Sequence, residues 1–141
     1  MKQEEIVNIV NKVYPLISED YTNINPKVEL HENIYERLNS ISAMDEEDSY
    51  AEYDWSNNTI YIYTSRMKCD EDIIRSLIHE CVHSTQSKEM FDFWYENGYT
   101  YKTHPFEIYA RKAEENWKEY VFAEFDRWYH EMGEKNGYTE Y

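Results

Sequence analysis

The sequence predicts an α+β domain, because three kinds of pattern follow one another along the chain. Apolar residues recur at helical spacing near the N-terminus, two runs rich in aromatic and β-branched residues flank a turn, and two amphipathic segments come after them. A length of 141 residues suits one domain, and we expect residues 1–141 to form it. With only 3 Gly and 3 Pro, long elements joined by short loops are expected.

The N-terminal third predicts a helix followed by a short strand. Residues 3–19 carry apolar side chains at helical spacing, and we expect the helix to end near Pro15 or soon after it. Lys27–His31 alternates like a strand. The segment Ile34–Met44 is ambiguous between helix and strand, and the acidic run Glu46–Asp48 predicts a solvated loop.

The middle of the chain predicts an antiparallel hairpin. Its strands are Ala51–Trp55 and Thr59–Thr64, both rich in aromatic and β-branched residues. Ser56–Asn58 lies between them and has the composition of a turn. The sequence therefore predicts a small antiparallel sheet that leads directly into the next helix.

That next helix, predicted at about Asp70–Ser87 with Asp70 as its N-cap, carries the motif HExxH. His79 and His83 are four residues apart, so both rings project from one side of the helix. At about 100° per residue, the opposite side is an apolar stripe that faces the core. The stripe consists of Ile74, Leu77, Ile78 and Cys81.

Paired histidines on one helix face are suited to bind zinc. Two imidazole nitrogens supply half of a tetrahedral shell, and a third protein ligand leaves one position for water. Zinc lowers the pKa of such a water towards about 7, and an adjacent carboxylate takes its proton. The sequence therefore predicts that His79 and His83 bind zinc and that Glu80 is the general base.

The third ligand is expected downstream of the motif, where residues 105–132 predict a long C-terminal helix that begins at Pro105. Glu107 and Glu114 lie in its opening turns, and His104 directly precedes it. Glu107 and Glu114 are about 10 Å apart along a helix, so they cannot both bind one zinc. Glu107, His104 and Glu114 all remain candidates at this point.

A hairpin, an HExxH helix, a loop and a helix that opens with Glu-x-x-Ala together resemble the gluzincin group of zincin metallopeptidases, in the small form called minigluzincins. The resemblance covers roughly residues 50–115 and depends on short motifs and their order. It implies a zincin-like fold and zinc-dependent peptidase activity, with Glu107 as the third ligand. A site completed by His104 would resemble SprT-like proteins, which have three histidines.

The resemblance also implies how a substrate is held. Such enzymes often bind an extended substrate along the edge of the strand that precedes the motif helix, which here comes from Ala51–Thr64; Thr59–Thr64 is the expected strand. A group that stabilises the oxyanion is also needed. Its candidates are Tyr99, Tyr101, His104 and Tyr109.

Charge and cysteine usage restrict the partners and the compartment. A net charge of −15 repels phosphate backbones and anionic membranes, so a peptide or protein substrate, preferably basic, fits better than nucleic acid. Cys69 and Cys81 would be about 18 Å apart along the helix, beyond the roughly 7 Å limit for a disulfide. With no signal peptide or membrane span visible, we expect a cytoplasmic protein.

Two functions of different classes are consistent with these features. The first is a zinc metallopeptidase, which the intact Glu80 favours because structural zinc needs no general base. The alternative is a non-catalytic acidic binding or inhibitor protein with a structural or vestigial zinc site, which the net charge of −15 favours. We expect the peptidase.

Overall fold

The computed structural model describes residues 1–38 and 49–121. The predicted loop Glu46–Asp48, most of the ambiguous segment Ile34–Met44 and the end of the helix predicted at 105–132 lie outside these residues. The elements, in chain order, are α1 (Gln3–Tyr21), β1 (Lys27–His31), α2 (Ile34–Leu38), β2 (Ala51–Asp54), β3 (Thr59–Tyr63), α3 (Asp70–Ser84), α4 (Lys88–Glu96) and α5 (Pro105–Glu114).

Helix α1 continues through Pro15 to Tyr21, so its expected end near Pro15 is too early. Pro15 removes one N–H donor and crowds the carbonyl four residues earlier, but the residues after it still carry the core-facing pattern. Ile17 is fully buried, and the Ser18 hydroxyl donates to the Pro15 carbonyl oxygen at 3.2 Å. Burial of the last turns stabilises the helix beyond the proline.

The sheet is mixed and not antiparallel as predicted. The hairpin is confirmed, since β2 pairs antiparallel with β3, with Ala51 opposite Ile62. However, β1 pairs parallel with β3, with Val28 opposite Ile60, so the strand order is β1-β3-β2. A parallel pair needs a long connection, and residues 32–58 supply it.

The main core lies between one face of the sheet and helices α1 and α3. Ile60 and Ile62 are fully buried there, as is Leu77 on α3. A second, smaller cluster consists of Tyr61 and Tyr63 of β3 and Ile34 of α2. None of the described helices combines the length and the apolar character required to cross a membrane.

Helix α3 is shorter than predicted, and its cap differs. Cys69 is the N-cap residue and makes no side-chain cap bond, whereas the predicted cap, Asp70, is the first helical residue. The Asp72 carboxylate accepts a hydrogen bond from the Lys68 backbone N–H at 2.9 Å, so this N–H group just before the helix has an acceptor. The helix ends at Ser84, and Cys81 faces the core as predicted.

The segment after α3, predicted to be a loop, contains a helix. Helix α4 begins after Ser87, whose hydroxyl accepts the Met90 N–H at 3.2 Å. Helix α5 ends at Glu114, earlier than the predicted long helix, and a turn at 115–116 separates it from helical residues 117–121. Bonds from each N–H to the carbonyl three residues back tighten this turn.

Candidate metal centre

Three buried side chains from α3 and α5 converge on one point. The Glu107 Oε1 atom lies 3.0 Å from His79 Nε2 and 2.7 Å from His83 Nε2. The exposed fractions of the three residues are 8% for His79, 4% for His83 and 6% for Glu107. One potential ligand atom from each lies within 4.8 Å of the other two. Two imidazoles and one carboxylate are a donor set that suits zinc, so the residues fit such an ion.

The outer ring nitrogen of each histidine also has a partner. His79 Nδ1 lies 2.6 Å from Glu114 Oε2, and Arg75 pairs with the other oxygen of Glu114 at 3.7 Å. His83 Nδ1 lies 2.7 Å from Gln86 Oε1. Oxygen acceptors at Nδ1 favour the tautomer that leaves Nε2 free to bind a metal, and they fix the ring orientation.

Of the three candidates for the third ligand, only Glu107 belongs to this cluster. His104 is fully buried and is the N-cap of α5: its Nδ1 accepts the Phe106 N–H at 3.0 Å, and its Nε2 lies 2.9 Å from the Phe91 carbonyl oxygen. Both of its ring nitrogens are therefore occupied elsewhere. Glu114 reaches the outer side of His79 instead of the centre.

Tyr95 is a residue of the site that the sequence analysis did not single out. Its hydroxyl donates to Glu107 Oε2 at 2.7 Å, so Oε1 is the oxygen left for the centre. Burial alone would raise the pKa of Glu107, but hydrogen bonds from His79, His83 and Tyr95 hold that pKa well below its usual range. Phe91 and Tyr95 are four residues apart and share a face of α4, but this spacing becomes a signal only once α4 is recognised as a helix.

Glu80 lies beside the cluster on the same helix. It is 6% exposed and lines the adjoining cavity, and no donor among the residues described hydrogen-bonds its carboxylate. Burial raises the pKa of Glu80, against the opposing charges of His79 and His83. Burial would lower the pKa of His79, but hydrogen bonds to Glu107 and Glu114 outweigh it and raise the value to about 10.

The four candidates for the oxyanion stabiliser occupy different places. Tyr101 lines the cavity, with its ring stacked near His79 at 6.3 Å between centroids. Tyr109 is 66% exposed, and Tyr99 packs against Trp94. Since His104 caps α5, Tyr101 is the candidate of the four that faces the cavity.

A cavity of about 1070 Å³ opens over the cluster, and residues of β2 form one side of it. The predicted substrate edge, Thr59–Thr64, is wrong because β3 is the central strand and pairs on both sides. A strand paired on both sides has no free row of N–H and C=O groups. Within the described part of the chain, the strand edge beside the cavity belongs to Ala51–Asp54.

The cavity lining is acidic. Among the described residues, three basic side chains line it, and each forms an ion pair: Arg37 with Glu52, Arg75 with Glu71 and Glu114, and Lys88 with Asp92. The same described lining contains six carboxylates, namely Glu52, Asp54, Asp72, Glu80, Glu107 and Glu114. The lining therefore carries an excess of negative charge when the histidines are neutral.

No protein-family model, curated protein or solved structure matches this chain. The geometry of the cluster and the chemistry of its side chains are thus the basis for assigning a function.

Proposed function

We propose that this protein is a zinc-dependent metallopeptidase with a zincin-like, gluzincin-type site. His79, His83 and Glu107 hold the zinc, and Glu80 is the general base. One observation carries the proposal: two buried imidazoles and one buried carboxylate converge next to a second buried carboxylate, and all four line one cavity. Catalytic zinc sites have three protein ligands of these types, whereas structural sites have four.

The partners of the ligands support zinc over a simple ion pair. Each imidazole presents Nε2 to the centre because its Nδ1 is held by Glu114 or Gln86. Tyr95 holds the second oxygen of Glu107. Partners of this kind are typical of metal ligands in proteins. When bound here, zinc supplies a Lewis acid that polarises a substrate carbonyl and acidifies water.

The residues of the chain supply the proton transfers. Glu80 takes a proton from water as the water oxygen bonds to the peptide carbonyl carbon. Glu80 then returns the proton to the amide nitrogen as the C–N bond breaks, so the products are a carboxylic acid, which keeps the second proton of the water, and an amine. Tyr101 faces the cavity, and we assign its hydroxyl to the oxyanion that forms between the two steps.

The cavity also supports a peptide as the substrate. An extended peptide can pair with the edge of β2 and so lie across the metal cluster. Asp54 and Asp72 line the cavity, and neither takes part in an ion pair among the residues described. Together with the protein's net charge of −15, these carboxylates favour the binding of a basic peptide and oppose the binding of nucleic acid.

The test is Glu80→Gln, which keeps the size of the side chain and removes its basicity. Zinc content, measured by elemental analysis, and the melting temperature should stay near the wild-type values. Cleavage of a pool of unstructured basic peptides should fall by about 10²- to 10⁴-fold, the usual contribution of a general base. Glu89→Gln, at an exposed position on α4, is the matched control and should cleave like wild type.

Two results would contradict the proposal. Equal cleavage by wild type and Glu80→Gln would remove Glu80 from the mechanism, and failure of the wild type to bind added zinc would remove the metal site. If the wild type binds zinc but cleaves nothing across a diverse library, the alternative gains support. That alternative is the acidic binding protein with structural zinc.

A further inference from the structure

The cavity has an aromatic wall at the end next to His83. We define this wall as Trp55, Phe91 and Tyr95, which all line the cavity. The Phe91 ring lies 5.0 Å from the Trp55 ring and 5.2 Å from the Tyr95 ring, measured between centroids. It also lies 5.2 Å from the His83 ring, so the wall starts at a metal-ligand candidate.

The wall is held in place before any ligand arrives. Trp55 Nε1 donates to the Gln86 carbonyl oxygen at 3.0 Å, and the Tyr95 hydroxyl donates to Glu107. Phe91 lies 4.8 Å from the fully buried ring of His104. An ordered wall of this kind loses little conformational entropy when a ligand side chain packs on it.

The wall is not part of the interior. None of its residues is buried, and Tyr95 is 37% exposed, so apolar ring faces meet solvent inside the cavity. A ligand side chain that covered these faces would recover the free energy of removing apolar surface from water. Asp72, Arg75 and Ser76, about two to three turns before His83 on α3, also line the cavity and are polar.

We propose, on the basis of the peptidase function above, that the aromatic wall is a specificity subsite. It takes a large apolar side chain, aromatic or of the size of leucine, from the residue on one side of the bond that is cut. The distance to His83 places the subsite next to the reacting bond, and aromatic pairs favour centroid distances of about 4.5–7 Å. The substrate class is therefore a basic peptide with a large apolar residue at the cleavage site.

The experiment uses unstructured basic peptides in which one Phe or Leu replaces Ala at each position in turn. Cleavage sites are located by mass spectrometry. The large residue should fall at one fixed position beside the cut bond, and kcat/KM should exceed that of the all-Ala peptide by about 10- to 100-fold. This range follows because even one methylene in an apolar pocket is worth about 10–200-fold.

Variants of the wall then test its role. The Phe-over-Ala preference should shrink in Phe91→Leu and shrink further in Phe91→Ala. Phe93→Ala is the matched control, because Phe93 lies on the same helix, is 46% exposed and does not line the cavity. It should keep the wild-type preference. If Phe91→Ala does not fold, the milder Phe91→Leu still provides the comparison.

A second measurement separates failure of the subsite from failure of the peptidase proposal. Calorimetric titration of the same peptides into Glu80→Gln measures binding without cleavage. The Phe peptide should bind at least about 10-fold more tightly than the Ala peptide. Equal affinity, or cleavage without preference for large residues, would overturn the subsite. If the Phe peptide binds more tightly than the Ala peptide but the wild type cleaves neither, the subsite proposal is retained and the peptidase proposal loses support.

Discussion

Helices α3 and α4 are separated by only three residues, yet they are buried to opposite extents. In α3, 11 of 15 residues are buried, whereas none of the 9 residues of α4 is buried. Both helices are amphipathic. The difference arises because α3 packs between α1, the sheet and α5, while α4 lies at the surface.

The comparison shows that an amphipathic pattern does not determine whether the polar side of a helix is buried. The polar side of α3 is buried as well as its apolar side, so His79 and His83 need partners, and each has them. In α4 the apolar residues divide between the cavity and the surface. We therefore propose that the buried polar side of α3 contributes to the chemistry and that α4 contributes to recognition.

The largest expected effect is on the metal, at the polar side of α3. Glu107→Ala should weaken zinc binding by several kcal/mol, because it removes a direct ligand. A competition titration against a chromophoric chelator measures this loss. His104→Ala should leave zinc affinity nearly intact but lower stability by more than the about 1 kcal/mol of an N-cap, since it also empties a fully buried position. The opposite ranking of zinc affinities would make His104 the ligand.

A substitution on the apolar side of α3 should lower the stability of the protein. Leu77 is fully buried in the main core, so Leu77→Ala should lower the free energy of unfolding by about 2–5 kcal/mol. Urea denaturation followed by circular dichroism measures the change. A loss below about 1 kcal/mol would mean that α3 is less tightly packed than its burial indicates.

A smaller effect is expected one contact away from the metal. Glu114→Gln should lower zinc affinity by about 10- to 100-fold, because it weakens the acceptor that orients His79. Glu115→Gln, at the exposed neighbouring position, is the control and should bind zinc like wild type. Equal zinc affinities in the two variants would show that Glu114 does not position His79.

The smallest effect is expected on the outer side of α4. Phe93 is 46% exposed, and its ring packs near Trp94, so Phe93→Ala should change the free energy of unfolding by no more than about 0.5 kcal/mol. The same urea titration gives this value. A loss comparable to that of Leu77→Ala would contradict the contrast between the two helices.

The sequence was informative where short-range pattern determines structure. Strand alternation and the turn at Ser56–Asn58 gave the hairpin, and spacing by four placed His79 and His83 on one side of α3. The four residues of the predicted apolar stripe all face the core, together with Ile73 and Val82, which the stripe did not include. Each of these features depends on residues that are close in the chain.

Contacts between residues far apart in the chain were harder to predict from the sequence. Alternation in Lys27–His31 predicts a strand but not its partner, so the insertion of β1 beside β3, and hence the position of the free edge, could not be deduced. Helix α4 was missed because its aromatic residues have little intrinsic helix preference. Without α4, nothing in a chain with 15 tyrosines distinguished Tyr95 from the others.

The edge of β2 is unpaired within residues 1–38 and 49–121, and this has a consequence for how copies of the protein behave towards one another. An unpaired strand is a template for any extended chain, including a second copy, and can seed filaments. Here the strand is four residues long and carries Asp54, which forms no ion pair among the residues described, and every copy has a net charge of −15. Two such edges repel each other at low salt, whereas a basic peptide is not repelled. The same negative charge can thus keep the protein dispersed and leave the edge open to substrate.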